Sequence, residues 1–577
     1  MGSMRYRATG EVQPAAARGG ISRRQFVHGV GGALALASGG RGARGYDAPR
    51  PAVLRGQEFD LEIGSIPVNF TGRPRLATAV NGAVPAPLLL WREGDLIRVR
   101  VHNRLAARTS IHWHGLLLPA NMDGVPGLSF DGIDAGATFT YEFRAQQSGT
   151  YWYHSHSRFQ EQTGLYGPII IAPARGERYT VERDYVILLS DWTDEDPEHI
   201  YATLKRDSEY FNFARRTAPD FFAAARARGW RRAFAEQRTW GEARMDPTDL
   251  VDVSGYTYTY LMNGVTPAGN WSAEFERGER IKLRFINGSA MSFFDVRIPG
   301  LPLMVVAADG QDVEAVSVDE FRIGAGEVYD VIVQPPQDEA YTIFAQSMDA
   351  SGYARGTLAP RAGMHAPVPA LAPRPQLSMA DMGMGDDMAA MPGMAQKEQL
   401  HAASVGVDMR VSAPDDNLAD PGVGLRGNGR RVLTYADLHT LGGPLDVRAP
   451  QREIELHLTG HMQRFMWSFD GRKFSEAPAI EFRHGERLRI VLVNDSMMIH
   501  PIHLHGMWSE IESAPGAFQV RKHTVLVRPA QKLRYCVSAL ASGRWAFHCH
   551  LLYHMEAGMF REVTVAAVDA ASPAGRS

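Results

Sequence analysis

Four pairs of histidines, each pair separated by one residue, stand out as candidates for chemistry: His112-Trp113-His114, His154-Ser155-His156, His503-Leu504-His505 and His548-Cys549-His550. Successive side chains of a β-strand point to opposite faces, so each pair presents two imidazoles to one side while the residue between them faces away. Eight imidazoles brought together have the donor count of a three-metal cluster. The last pair encloses Cys549, with His500 three residues before His503 and with His554 and Met559 four and nine residues after His550. Two imidazoles, a thiolate and a thioether form a blue-copper set, a trigonal His-His-Cys plane with a weak axial Met. The equivalent positions around the first two pairs are Thr109, Ser155, Gln160 and Leu165, so one such site is expected and not two. Zinc also takes His and Cys, but its structural sites are closed tetrahedra and leave an adjoining eight-histidine cluster without a role.

The elements that must carry these pairs show themselves as a repeat. Gly94 to Asn103, Gly278 to Asn287 and Gly485 to Asn494 each begin with Gly and an acid, continue with apolar and basic residues and end on Asn. Alternation of Ile97, Val99 and Val101 with Arg98 and Arg100, and of Ile281, Leu283 and Phe285 with Lys282 and Arg284, predicts half-buried strands. Nine residues after Asn103 comes His112, and nine after Asn494 comes His503; nine after Asn287 comes Val296, with Ile298 two further on. The middle unit therefore keeps the strand and lacks the ligands. A second correspondence pairs Ser148-Gly149 and His154 with Ser542-Gly543 and His548. The reading is all-β: three Greek-key sandwich units with the ligands divided between the outer two. The boundaries expected are 46–178, 179–354 and 429–577, with a helical insertion at about 194–243 and a Pro-, Ala-, Gly- and Met-rich linker over 355–428.

At 577 residues the chain exceeds one hydrophobic core. A formal net charge of −3 gives no basic excess to recruit nucleic acid. With two cysteines, one of them a candidate ligand, no internal disulfide is expected, and Cys536 reads as a small buried hydrophobe. Residues 1–45 hold Ser22-Arg23-Arg24-Gln25-Phe26-Val27, an apolar run from Gly29 to Gly40 and a possible cleavage site at Ala35-Leu36-Ala37. This order resembles a twin-arginine export signal, and no later run is apolar enough to span a bilayer. The expectation is a periplasmic protein without stable membrane insertion.

The strings His112-Trp113-His114-Gly115, His154-Ser155-His156, His500-Pro501-Ile502-His503-Leu504-His505-Gly506 and His548-Cys549-His550 through His554 to Met559 resemble the four copper motifs of the multicopper oxidases, and the likeness covers almost all of the chain after the signal. Within that family, the twin-arginine signal, the last string and a Met-rich insertion most resemble the copper-resistance protein A group of the bacterial periplasm. The resemblance implies cupredoxin-like domains and four copper ions. His112 and His503 would hold one type 2 copper, and His114, His154 and His550 with His156, His505 and His548 the two type 3 coppers. His500, Cys549, His554 and Met559 would hold the type 1 copper. It further implies that Cys549, His548 and His550 conduct electrons inward, that dioxygen is the acceptor, and that Cu(I) or a phenol is the reductant, with periplasmic copper carriers as partners. A laccase, another metal-ion oxidase and a copper store are the alternatives. The unbroken motifs around Cys549 favour catalysis over storage.

Several residues carry two readings. Met379, Met382, Met384, Met388, Met391 and Met394 crowd a short stretch with Asp381, Asp386 and Asp387. Thioethers suit Cu(I), so they read as a substrate-gathering patch or as part of a plain linker; the group's usual His is absent, with only His365 and His401 nearby. Asp123, before Gly124, is either a proton donor to the cluster or a turn residue. Where relatives carry an acid in the last motif, Leu551, Leu552 and Tyr553 stand here. Met555 and Glu556 are either gates over the outer copper or loop packing. His457, His461 and His523 have no partner at ligand spacing.

Overall fold

The computed structural model describes residues 52–243, 245–383, 406–411 and 413–566. The residues of the expected export signal and Met384, Met388, Met391 and Met394 lie outside them.

Strands dominate and form six sheets, two from each third of the chain. In each third the repeated strand occupies the same place. Leu96–Asn103 runs parallel to Glu58–Val68 and antiparallel to Thr138–Arg144. Ile281–Asn287 lies likewise between Arg183–Trp192 and Val328–Val333, and Arg487–Asn494 between Arg452–His461 and Lys532–Ser538. The terminal Asn of the repeat has a physical task. The Nδ2 of Asn103 donates to Ala107 O and Ile133 O, that of Asn287 to Ser292 O and Ile323 O, and that of Asn494 to Met498 O and Val527 O, at 2.7–3.1 Å. Each Oδ1 accepts the backbone N–H two residues on. A buried amide that satisfies donors and acceptors at once pins the loop leading to the next strand. This fixes the nine-residue offset at which the ligands begin.

The ligand strands repeat their register too. His112–His114 pairs antiparallel with Gly149–His154, placing His112 opposite His154. His500–Leu504 pairs antiparallel with Gly543–Cys549, placing His503 opposite His548. Between the two histidines Trp113 turns into the apolar core against Trp91 and Tyr141, as strand alternation requires. In the middle third Phe294–Arg297 holds Val296 at the ligand position, fully buried.

Two expectations change. Lys282 and Arg284, read as the solvent face of a half-buried strand, are buried: Lys282 pairs with Glu177, and Arg284 with Asp184, Asp330 and Thr150 Oγ1 of the first third. The sheet is covered on both sides, and its cations are compensated by carboxylates. The chain from 355 on begins as ordered structure, since the strand Tyr353–Ala359 pairs with Tyr341–Ser347 and Trp271–Glu274. Further on, Met379 and Met382 are buried in the main apolar core.

The insertion is helical. Pro197–Leu204 is capped by Asp196, whose side chain accepts from Glu198 N. Ala218–Arg228 starts with a capping box between Thr217 and Asp220 and ends at Gly229, φ +88°, and Trp230–Ala243 follows. Reciprocal caps satisfy the free N–H groups of a helix start, and glycine tolerates the left-handed turn that ends it. No described helix is long and apolar enough to cross a membrane.

Candidate metal centre

Every histidine of the four pairs comes to one place. Donor atoms of His112, His114 and His503, of His114, His154 and His550, and of His156, His505 and His548 lie within 4.8 Å of one another in each group, as do those of His500, Cys549 and His554. Seven of the eight paired histidines are buried and His156 is half-buried.

The far nitrogen of most rings is tied to an acceptor, which fixes what the near nitrogen presents. His112 Nδ1 donates to Asp123 O (2.9 Å), His503 Nδ1 to His523 O (2.6 Å) and His548 Nδ1 to Cys549 O (2.9 Å). A backbone carbonyl only accepts, so Nδ1 carries the hydrogen and the neutral ring turns an Nε2 lone pair inward. His505 donates to the carboxylate of Asp123 (Oδ2, 2.8 Å), and His154 Nδ1 lies 3.1 Å from Ser155 O and 2.6 Å from Oε2 of Glu161, whose carboxyl is pushed well up by burial. His114 is reversed, with Nε2 on Thr524 Oγ1 at 3.1 Å and Nδ1 inward. The inward Nε2 of His112, His154 and His503, Nδ1 of His114 and both nitrogens of His550 are buried without a partner. The Nε2 atoms of His156 and His505 face that of His548 at 3.3 and 3.0 Å.

Burial and the crowd of neighbouring imidazoles hold His114, His154, His156, His503, His505 and His550 well below the usual histidine pKa. Burial takes His548 down to about 4. Neutral rings that aim lone pairs at one another in a buried space repel unless cations lie between them. This donor set fits metal ions on their ligand chemistry alone.

The second group uses the other side of the last strand. Cys549 Sγ lies 3.5 Å from His500 Nδ1 and 3.9 Å from His554 Nδ1, and the two nitrogens are 3.3 Å apart. His500 Nε2 meets Ser496 Oγ at 2.7 Å and His554 Nε2 meets Asp252 Oδ2 at 2.7 Å, so both rings keep Nδ1 for the cavity. Met559 is fully buried, and its carbonyl accepts from Cys549 N at 3.1 Å. Burial pushes the Cys549 thiol far up, so a thiolate there requires a cation beside it.

Asp123 reaches both His112 (Oδ1, 3.3 Å) and His505 (Oδ2, 2.8 Å) on the nitrogens remote from the cluster. It is held by a turn that only glycine completes. Gly124 has φ +81°, and a Cβ there would lie 1.8 Å from Ile111 O. Four neighbours escaped the sequence reading. Glu161 and Asp252 are buried carboxylates on His154 and His554; Thr524 anchors His114; and His523, read as unpartnered, lies with its ring 4.7 Å from that of His114 and supplies the carbonyl for His503. Glu161 follows His154 by seven residues within the motif region, which was the available signal; the others belong to other strands and loops. His457 and His461 lie beside Asp495 and Asp408 instead. Glu556 pairs with Arg158, and its carbonyl accepts from Tyr201 of the insertion.

Three sequence families, each described as multicopper oxidase, match residues 62–176, 183–362 and 448–569. Copper resistance protein A of Pseudomonas syringae pv. tomato is 52% identical across 94% of this chain and 99% of its own length, and so is Copper resistance protein A of Escherichia coli. Multicopper oxidase MmcO of Mycobacterium tuberculosis is 30% identical across 85% of this chain and 83% of its own. Among solved structures, Fet3p, a multicopper oxidase that functions in iron import, superposes with a TM-score of 0.65 at 18% identity over 89% of this chain and 90% of that one. The laccase from Botrytis aclada gives 0.63 at 21% identity over 90% and 88%. At those identities the structural likeness speaks for the fold.

Proposed function

This chain belongs to the multicopper oxidase family, and on that footing we propose that it oxidises Cu(I) to Cu(II) in copper resistance while dioxygen is reduced to water. One observation carries the reading: His548-Cys549-His550 gives its cysteine to the His500/His554 group and its two histidines to two different imidazole triads. Copper, when bound, supplies one-electron redox chemistry at the first group and dioxygen binding at the second. His500, Cys549, His554 and Met559 would hold the type 1 ion, His112 and His503 the type 2 ion, and the triads His114/His154/His550 and His156/His505/His548 the type 3 pair.

The chain's own contribution is path, orientation and protons. From Cys549 Sγ the covalent backbone leads to both flanking rings, and the Cys549 carbonyl also accepts from His548 Nδ1, which shortens the route to one triad. Asp123 fixes two rings from behind and is the carboxylate placed to pass protons toward the cluster. Glu161 stands behind His154 in the same way.

A cationic reductant suits the outer side. His554 is wholly covered, and what covers its Nε2 is a carboxylate, Asp252. Asp252 Oδ1 and Asp249 Oδ2 are buried without a donor. Nearby, the charges of Glu209 and Asp246 act on Asp249, and both line a cleft of about 550 Å3 with Asp207, Met245, Trp240, Gln463 and one cation, Arg206. Three acids against one arginine, with a thioether, favour a metal cation over a neutral phenol. The twin-arginine run supports export to the periplasm, and the composition of Met384 to Met394 makes them candidates for gathering Cu(I).

The test is dioxygen uptake by the copper-loaded protein with Cu(I) and, separately, with a phenol, using the intact chain, Asp249→Asn and a deletion of residues 384–394. Selective loss of the Cu(I) rate in both variants supports the reading. A phenol rate that dominates and follows neither variant makes the enzyme a laccase.

A further inference from the structure

We propose that the hairpin formed by Ala218–Arg228 and Trp230–Ala243 is a docking surface for an anionic phospholipid bilayer, lying in the headgroup region without crossing it. Nothing in the proposed copper chemistry uses the outer face of this segment.

Ala225 and Ala233 are buried, one on each helix, and Trp240 anchors the second helix in the core. What they leave outside is aromatic. Phe222, Trp230 and Phe234 are 55–59% exposed, and together with half-buried Phe221 they form one cluster with ring centroids 5.0–6.2 Å apart. Gly229 makes the tight turn that brings Phe222 and Trp230 to one tip. A second exposed pair, Phe213 with Tyr256 at 5.9 Å, lies at the base of the same insertion. Contiguous exposed aromatic surface of this kind marks an interaction site.

The charge around the tip identifies the partner. Between residues 221 and 236 there are four arginines and one acid, a local excess of three positive charges on a chain whose formal net charge is −3. Arg228 and Arg232 share Glu236, while Arg226, one helical turn after Phe222, and Arg231, next to Trp230 in the chain, are exposed. All of these cations are guanidinium groups, which bind phosphate oxygens in pairs where an ammonium acts as a point charge. Aromatic rings flanked by arginine match a bilayer interface, where rings settle among the headgroups and guanidinium groups meet the phosphates. At its other end the insertion is tied to the electron-accepting side, since Tyr201 OH donates to Glu556 O and Lys205 Nζ to Phe465 O. Docking would thus place the His554 side at a fixed attitude to the membrane.

The test is co-sedimentation of the copper-loaded full chain with vesicles of phosphatidylglycerol and phosphatidylcholine against vesicles of phosphatidylcholine alone, at low and high salt. Two variants accompany it, Phe222→Ser/Trp230→Ser/Phe234→Ser and Arg226→Glu/Arg231→Glu, with oxidase activity in solution as the check that each is folded. Salt-sensitive binding to the anionic vesicles, weakened about tenfold or more by either variant at unchanged solution activity, is the expected result. Equal binding to both vesicle types, or variants that bind like the parent, overturns the proposal. So does absent vesicle binding with a concentration-dependent dimer in sedimentation velocity that the aromatic variant abolishes, which would make the tip an interface between copies of this chain.

Discussion

Replacing Asp252 by Ala removes the acceptor from His554 Nε2, a contact of 2.7 Å between side chains that are both 0% exposed. Burial pushes the Asp252 carboxyl up to about 8 in the metal-free protein. Above that pH, where the titration is run and with no solvent to screen it, the bond is charge-assisted, about 1.5–3 kcal/mol. The carboxylate increases the electron density that His554 offers the outer metal and so favours the oxidised ion; without it the reduced ion is favoured. Divided by the charge of one electron, that energy is a rise of about 65–130 mV in the outer site's potential. Asp252→Asn keeps an acceptor and loses the charge, so it should fall between the parent and Ala. The assay is a redox titration of the copper–thiolate absorption in the three proteins, with Cu(I)-driven dioxygen uptake alongside. An unchanged potential in Asp252→Ala would refute the argument that this carboxylate acts on the metal through His554.

Cys549→Ser should abolish the copper–thiolate absorption and substrate oxidation while the eight-histidine cluster still loads copper, read by metal analysis; loss of all copper would contradict two separable groups. Gly124→Ala, where a Cβ would sit 1.8 Å from Ile111 O, should displace Asp123 from His112 and His505 and lower copper occupancy and melting temperature together, with about 1–2 kcal/mol from the left-handed backbone alone. The metal-free protein should lose stability as pH falls from about 6.5 toward 4. The buried histidines, His548 and His523 at about 4 among them, bind protons in the unfolded chain before they do in the folded one. Melting curves across that range should show the loss in the metal-free form and much less of it in the copper-loaded form. A flat metal-free profile would mean that the rings are not held neutral.

The convergence of the histidines was legible because strand geometry ties side-chain direction to spacing. A His-x-His pair on a strand presents both rings to one face, and the terminal Asn of each repeat fixes where the next strand begins, so His112, His503 and Val296 align from the sequence alone. The helical insertion was legible from its composition. The groups behind the ligands were not. Asp252 reaches His554 across 302 positions and Thr524 reaches His114 across 410, and no periodicity encodes a contact made by packing one third of the chain on another. The same packing buried Lys282 and Arg284, whose alternation looked solvent-facing, and drew Met379 and Met382 into the core. A pattern of apolar and charged residues shows which face differs, not what will cover it.

The most direct test of the central claim is the stoichiometry of the reaction, measured with an oxygen electrode and a peroxide assay while Cu(I) is supplied in limiting amounts to the fully copper-loaded protein. Consumption of about four Cu(I) ions for each dioxygen, with no peroxide released, is the predicted result, since electrons taken singly at the His500/Cys549/His554 group must be pooled at the histidine cluster. Peroxide released at about two Cu(I) per dioxygen, or Cu(I) bound without oxygen uptake, would contradict it.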